Sequence, residues 1–196
     1  GHAQPERHAS SAIVEQAAAA YRQAIALSTD GPSCKAWLHE LSLLEGLPLS
    51  GSVHDALSDP SQYDPKGCVS ELKARGNAAF QAQRHCQALG LYAHAIHVAS
   101  HADAAVTPRE LAMLLSNRCA SCLALGATSE ALQDAKRCLS TDPSFVKGYL
   151  RLGRSLLQAG DWEAALAAFN EGLAHAPADA ALQAALTDAV HQSGAG

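Results

Sequence analysis

The sequence has few aromatic residues and no long apolar run. Only 5% of its 196 residues are Phe, Trp or Tyr, and it contains a single Met, although 48% of the residues are apolar overall. A core must therefore be built mostly from small side chains, above all alanine, which favours closely packed helices. No uninterrupted apolar stretch reaches the roughly 18 residues of a membrane-spanning helix, so we expect no membrane contact from this chain.

Excess positive charge and catalytic motifs are missing as well. The net charge of −5 at pH 7 argues against nucleic acid as the main ligand. The sequence has no G-x-S-x-G, no H-E-x-x-H and no glycine-rich phosphate loop, so we expect neither an enzyme nor a cofactor. Residues 1–10 are polar, so we expect no signal peptide. A cytoplasmic location is a separate expectation.

An internal repeat of 34 residues organises the rest of the chain. The third unit, starting at Val146, has small, aromatic and proline residues at positions 8, 20, 24, 27 and 32, namely Gly153, Ala165, Phe169, Gly172 and Pro177. The second unit, starting at Ala112, has Cys119, Ala131, Ala135, Cys138 and Pro143 there. The first, starting at Val69, has Gly76, Ala88, Tyr92 and Ala95, lacks the proline and is nine residues longer. This spacing resembles the tetratricopeptide repeat, a helix A–turn–helix B unit.

We therefore predict an all-α solenoid of three helix–turn–helix repeats, at about 69–111, 112–145 and 146–177. A capping helix at 178–192 should close it, with Leu182, Leu186 and Val190 on the packing face. The excess of the first repeat should form a longer second helix and a loop ending at Pro108.

The N-terminal third has a different pattern. Residues 11–28 and 34–45 read as two helices, and residues 46–67, rich in Pro, Gly and Ser, read as a linker. We treat 1–68 as an extra N-terminal segment that could pack on the solenoid, lie in its groove or bind a second partner.

Cysteines and histidines raise the question of metal binding. Cys119 and Cys138 occupy small-residue positions of the repeat and Cys122 an apolar one, so we expect buried, reduced thiols. His94, His97 and His101 share one face of a helix without an acidic or Cys partner, and we expect that face to be solvated. No metal site is predicted.

Charge is distributed unevenly between the two helix types. The predicted A helices (70–83, 108–124 and 146–158) hold seven bases against two acids, whereas the B helices and cap hold two bases against six acids. The seven bases are Lys73, Arg75, Arg109, Arg118, Lys147, Arg151 and Arg154. Because A helices line the concave groove of such solenoids, this pattern favours an anionic ligand.

Three segments carry a closer likeness. ELKARGNAAF (71–80), LLSNRCASC (114–122) and FVKGYLRLG (145–153) resemble the A helices of carboxylate-clamp tetratricopeptide domains, found in co-chaperones such as the Hsp-organising protein and the UNC-45 type. The resemblance covers about 69–192. It implies five peptide-binding residues, which are Lys73, Asn77, Asn117, Lys147 and Arg151.

The same resemblance implies a ligand and a role. The ligand is a chain terminus ending Glu-Glu-Val-Asp, from heat-shock protein 90 or heat-shock protein 70, and the role is that of a non-catalytic adaptor. Two alternatives stay open at this point: an organelle import receptor that uses the same clamp, and a docking module of a larger enzyme.

Overall fold

The computed structural model describes residues 65–101 and 106–193, and this part of the chain consists of helices and the turns that join them, with no β-strand. Its seven helices are α1 (Pro65–Gln81), α2 (His85–His101), α3 (Pro108–Ala124), α4 (Thr128–Thr141), α5 (Val146–Ala159), α6 (Trp162–His175) and α7 (Ala180–Ser193). None of them has the length and hydrophobicity needed to cross a bilayer. The helices predicted at 11–28 and 34–45 lie outside the described residues.

The helices pack as three successive pairs and a cap, which confirms the predicted solenoid. α1 packs on α2, α3 on α4 and α5 on α6, while α7 covers α6 and α5. The first helices of the pairs also contact one another, α1 with α3 and α3 with α5. They form one continuous layer, and this layer lets side chains from different repeats meet.

Small residues allow the two helices of a pair to approach closely. A Cβ added to Gly76 would lie 2.6 Å from Cε1 of Tyr92, and one added to Gly153 would collide with the ring of Phe169. In the second pair, Cys119 and Ala131 are completely buried, and the Cys119 thiol donates a hydrogen bond to the Ala131 carbonyl at 3.2 Å. Larger residues at these positions would push the helices apart.

The first repeat differs slightly from its prediction. α1 begins at Pro65, so the last three residues of the predicted linker belong to the helix. Proline is compatible with a first helical turn because its missing N–H is not needed there. α2 has 17 residues against 14 in α4 and α6, which confirms the longer second helix. α3 begins at Pro108 behind a capping box formed by Thr107 and Glu110.

The capping helix α7 packs through two of its three predicted residues, since Leu182 is buried and Leu186 is partly buried against the same core cluster. Leu182 and Ala189 are fully buried, and the side chain of Leu182 lies against Gly172. Val190 is 52% exposed, so its prediction as a packing residue was wrong. At 100° per residue, Val190 lies roughly 80° around the helix from Leu182, whereas Ala189 lies only about 20° away.

Two arginines of α3 form ion pairs with acids that follow in the chain. Arg118 forms a bidentate contact with Asp134 of α4, with 2.8 Å between Nε and Oδ2, and the two side chains are 13% and 4% exposed. Arg109 reaches Asp142 at 3.3 Å, but its side chain is 64% exposed. Both arginines were counted among the seven bases of the predicted A helices. Because each is paired with an acid, neither contributes an unpaired positive charge to the groove.

The three thiols of the second repeat are buried, as predicted, whereas one histidine is not solvated. Cys119, Cys122 and Cys138 are at most 2% exposed and form no disulfide. His94 is 4% exposed, so the prediction of a solvated face was wrong for this residue. α2 is packed between α1 and α3, which leaves little of its surface open to solvent. The side chains of His97 and His101 lie outside the described residues.

The buried thiols should resist alkylation in the folded protein. Burial raises the pKa of Cys119 to about 11 and that of Cys122 and Cys138 to about 12, so almost no thiolate is present at pH 8. We expect mass-spectrometric detection of iodoacetamide adducts on these cysteines only after denaturation. Stability should also fall as pH rises above about 9, because the unfolded thiols ionise there and the folded ones do not. Rapid adduct formation on all three in the native state would contradict this burial.

The two ion pairs should differ sharply in their contribution to stability. Arg118→Ala leaves the Asp134 carboxylate buried without its partner, and we expect a loss of about 3 kcal/mol in the free energy of unfolding. Arg109→Ala removes an exposed pair and should cost at most about 1 kcal/mol. Urea titrations of both variants against the unsubstituted protein measure the contrast. Equal losses in the free energy of unfolding would mean that the ion pair of Arg118 stabilises the protein no more than an exposed one.

Candidate functional site

All five residues implied by the resemblance lie on the layer of first helices. Lys73 and Asn77 lie on α1, Asn117 lies on α3, and Lys147 and Arg151 lie on α5. Residues four apart share one face of a helix, so each pair on α1 and α5 presents two donors in the same direction. The structure therefore places donor side chains from three repeats on neighbouring helices.

Two of these side chains are in direct contact. Oδ1 of Asn77 accepts a hydrogen bond from Nδ2 of Asn117 at 3.2 Å, which joins the first repeat to the second. The same oxygen accepts from the hydroxyl of Tyr92 at 2.7 Å. Tyr92 was not predicted as a site residue. Its signal in the sequence was only that it is the one hydroxyl-bearing residue at position 24 of the three repeats.

Arg151 is a partly buried cation with hydrogen-bonding capacity to spare. Its Nε is buried and has no hydrogen-bond partner in the part of the chain that the structure describes. Burial lowers its pKa, and the positive charge of Arg154 lowers it further, but a guanidinium stays charged at any physiological pH. Buried donors are normally paired in folded proteins, so an unpaired one at a groove indicates a place where an anion can bind.

The two lysines of the site differ in how far they are exposed to solvent. Lys147 is exposed, and Lys73 is half-buried. The pKa of Glu110 on α3 is lowered, chiefly by its hydrogen bonds with Thr107 and to a smaller extent by Lys66 and Lys73, so Lys73 lies within electrostatic reach of α3. Neither lysine is hydrogen-bonded to the asparagine pair. The two asparagines are thus already in contact, whereas both ammonium groups remain available to a bound ligand.

A cavity of about 520 Å³ adjoins Arg151 and continues toward the turn end of the helices. Its wall is mostly apolar, with two arginines and two glutamines, and consists of Phe80, Ala120, Leu123, Ala124, Arg151, Arg154, Leu157, Gln158, Trp162 and Gln192. Trp162 and Gln192 of this wall come from α6 and α7, and neither was predicted as a site residue. The site thus combines an anion-binding end with an apolar compartment.

The charge of this layer stays positive after the ion pairs are removed. Arg109 and Arg118 are neutralised by Asp142 and Asp134, which leaves five of the seven bases, namely Lys73, Arg75, Lys147, Arg151 and Arg154. Across the described ranges, no three His, Cys, Asp or Glu side chains are grouped closely enough to hold a metal ion. What the arrangement can do chemically is bind an anion through charged and amide donors.

A family model and several known proteins match parts of this sequence. A family model described as "Tetratricopeptide repeat" matches residues 123–189. The Hsp70-Hsp90 organizing protein of Triticum aestivum is 40% identical over 121 residues, which is 62% of this chain. The chain spans only 19% of that wheat protein's length.

Solved structures agree with this assignment. The myosin chaperone UNC-45 from C. elegans, in complex with a Hsp90 peptide, is 25% identical with a TM-score of 0.57 over 64% of this chain and 14% of its own. The second TPR domain of human RPAP3, in complex with the HSP70 peptide SGPTIEEVD, covers 64% of this chain and 98% of its own with a TM-score of 0.56. At 22% identity it shows the fold alone. The chain therefore contains a tetratricopeptide repeat domain, and its sequence is similar to part of the Hsp70-Hsp90 organizing proteins.

Proposed function

We propose that the groove formed by α1, α3 and α5 binds the free C-terminal tail of heat-shock protein 90 or heat-shock protein 70. In this role the chain is a non-catalytic co-chaperone adaptor that acts in the cytoplasm. The name of the wheat relative refers to both chaperones, and the C. elegans and human structures each hold a chaperone peptide. The peptide in the human structure ends Glu-Glu-Val-Asp.

The observations that carry the proposal are the asparagine pair and Arg151, whose charge acts on Tyr92, the hydrogen-bond partner of Asn77. The pair offers uncharged amide donors at the floor of the groove. Arg151 lines the adjoining cavity, and its Nε has no partner among the described residues. A ligand that fits is an anion with several acceptor oxygens, because the donors come from more than one helix.

A C-terminal aspartate meets this requirement. It carries a main-chain carboxylate and a side-chain carboxylate on adjacent atoms, and so presents four acceptor oxygens. Arginine holds such a group with a planar fork, whereas Lys73 and Lys147 add compact charges from the two outer helices. Hydrogen bonds to charged groups contribute roughly 1.5–3 kcal/mol each, which is enough for a specific but reversible complex.

Upstream residues of the tail would then meet the apolar cavity. Its wall of Phe80, Leu123 and Leu157 suits an apolar side chain, and Arg154 suits an acidic one. A tail that ends Glu-Glu-Val-Asp agrees with this arrangement. Its acidic and apolar residues precede a terminal aspartate, which carries two carboxylates.

Removing either cation of α5 should weaken tail binding. We expect Lys147→Ala and Arg151→Ala each to weaken a peptide ending in Glu-Glu-Val-Asp at least tenfold, about 1.4 kcal/mol, by isothermal titration calorimetry. The physical reason is the loss of a charge that faces the ligand carboxylates. Circular dichroism and thermal unfolding of both variants check that the solenoid is retained.

Lys136→Ala is the matched control for these two variants. Lys136 is an exposed base on α4, away from the layer of first helices, and its removal changes the net charge by the same amount. We expect its affinity to stay within about twofold of the unsubstituted protein. If Lys136→Ala weakens binding as much as Arg151→Ala, the ligand responds to overall charge and the proposed groove is not its site.

A further inference from the structure

Position 24 of the repeat is occupied by three different residues, and only one of them is polar. Tyr92, Ala135 and Phe169 hold this position in the first, second and third repeats, and each is buried. Phe169 packs over Gly153 in the third repeat as Tyr92 packs over Gly76 in the first. Packing at this position therefore requires an aromatic ring or a small group, but no hydroxyl.

The hydroxyl of Tyr92 forms a hydrogen bond that the packing of its ring against Gly76 does not require. Tyr92 is 2% exposed, and its hydroxyl donates to Oδ1 of Asn77 at 2.7 Å. Gly76 makes this contact possible, because any side chain there would displace the ring from beneath α1. A buried hydroxyl thus reaches the exposed asparagine from below.

This contact fixes which end of the Asn77 amide faces the groove. Its Oδ1 already accepts from Tyr92 and from Nδ2 of Asn117, so both lone-pair directions of the oxygen are used. The NH₂ group must then point away from Tyr92, toward the open side of the site. The reverse orientation would place an oxygen there, and an oxygen would repel a carboxylate.

We propose that Tyr92 is a positioning residue for the binding site, and that its hydroxyl holds the Asn77 amide with its donors toward the ligand carboxylate. This inference rests on the proposed function, since it assigns a role within the same site. Tyr92 itself does not touch the ligand. It acts through Asn77, and it links the first repeat's second helix to the recognition surface.

The electrostatics of Tyr92 support a permanent donor. Burial raises the pKa of Tyr92 to about 12, although the nearby charge of Arg151 acts in the opposite direction. The hydroxyl therefore keeps its proton at neutral pH and donates to Asn77 whether or not a ligand is present. The Asn77 amide is thus pre-oriented before binding, which lowers the ordering cost of the complex.

Calorimetry on the full chain tests this role with a peptide ending in Glu-Glu-Val-Asp and a free carboxylate. Tyr92→Phe should fold, because Phe169 occupies the equivalent position, and it should weaken binding about fivefold, the equivalent of one hydrogen bond. The double variant Asn77→Ala/Tyr92→Phe should bind within about twofold of Asn77→Ala alone. This non-additivity distinguishes positioning from a general structural effect.

Tyr149→Phe is the matched control. Tyr149 is also a buried tyrosine, and its hydroxyl bonds to the Pro143 carbonyl at 3.0 Å and to His175 at 3.1 Å, with no contact to the five site residues. We expect its affinity to be unchanged even if its stability falls. A loss of affinity equal to that of Tyr92→Phe would show that the effect of Tyr92→Phe is only structural.

Asn77→Asp tests the amide orientation directly. It keeps an oxygen for Tyr92 and Asn117 but replaces the groove-facing NH₂ with a charged oxygen, so it should bind more weakly than Asn77→Ala. Binding as strong as that of the unsubstituted protein would overturn the orientation. If Arg151→Ala weakens binding but Tyr92→Phe does not, the positioning role alone fails. If neither weakens it, the proposed function fails.

Discussion

The close approach of the two helices within each repeat is the constraint on which the rest of the structure depends. Gly76 and Gly153 leave no room for a Cβ, and the rings of Tyr92 and Phe169 fill the space against them. This packing fixes the spacing between repeats, so that the first helices form one layer. Because of that layer, Asn117 can hydrogen-bond to a residue 40 positions earlier in the chain. The proposed binding surface combines side chains from all three repeats, and this is possible only when the repeats are regularly spaced.

Two arginines of similar sequence context have opposite roles in this framework. Arg118 is neutralised within the fold, because Asp134 of the paired helix faces it and both side chains are buried. Among residues 65–101 and 106–193, Arg151 forms no ion pair comparable to that of Arg118, and its Nε has no hydrogen-bond partner there. Breaking the first pair should destabilise the protein, since it leaves a buried charge. Removing Arg151 should mainly affect a ligand, since no internal acid loses its partner.

The periodic pattern was sufficient to predict the helices of the described region to within a few residues, because strict spacing of small residues leaves few other arrangements. Features that depend on the angle around a helix were harder to predict. Val190 was assigned to the wrong face because apolar character alone does not separate it from Ala189, and His94 is buried because α2 lies between two helices. The five site residues came from a resemblance, and their geometry required the structure. The role of Tyr92 depends on a hydrogen bond that no sequence pattern records.

The central claim is that the groove recognises a free C-terminal carboxylate, and chemical change of the ligand tests it without altering the protein. Calorimetry should compare two peptides of the same sequence ending in Glu-Glu-Val-Asp, one with a free terminal carboxylate and one amidated. The account predicts that amidation weakens binding at least tenfold, because it removes one of the two carboxylates that the site holds. Equal affinities for the two peptides would contradict it.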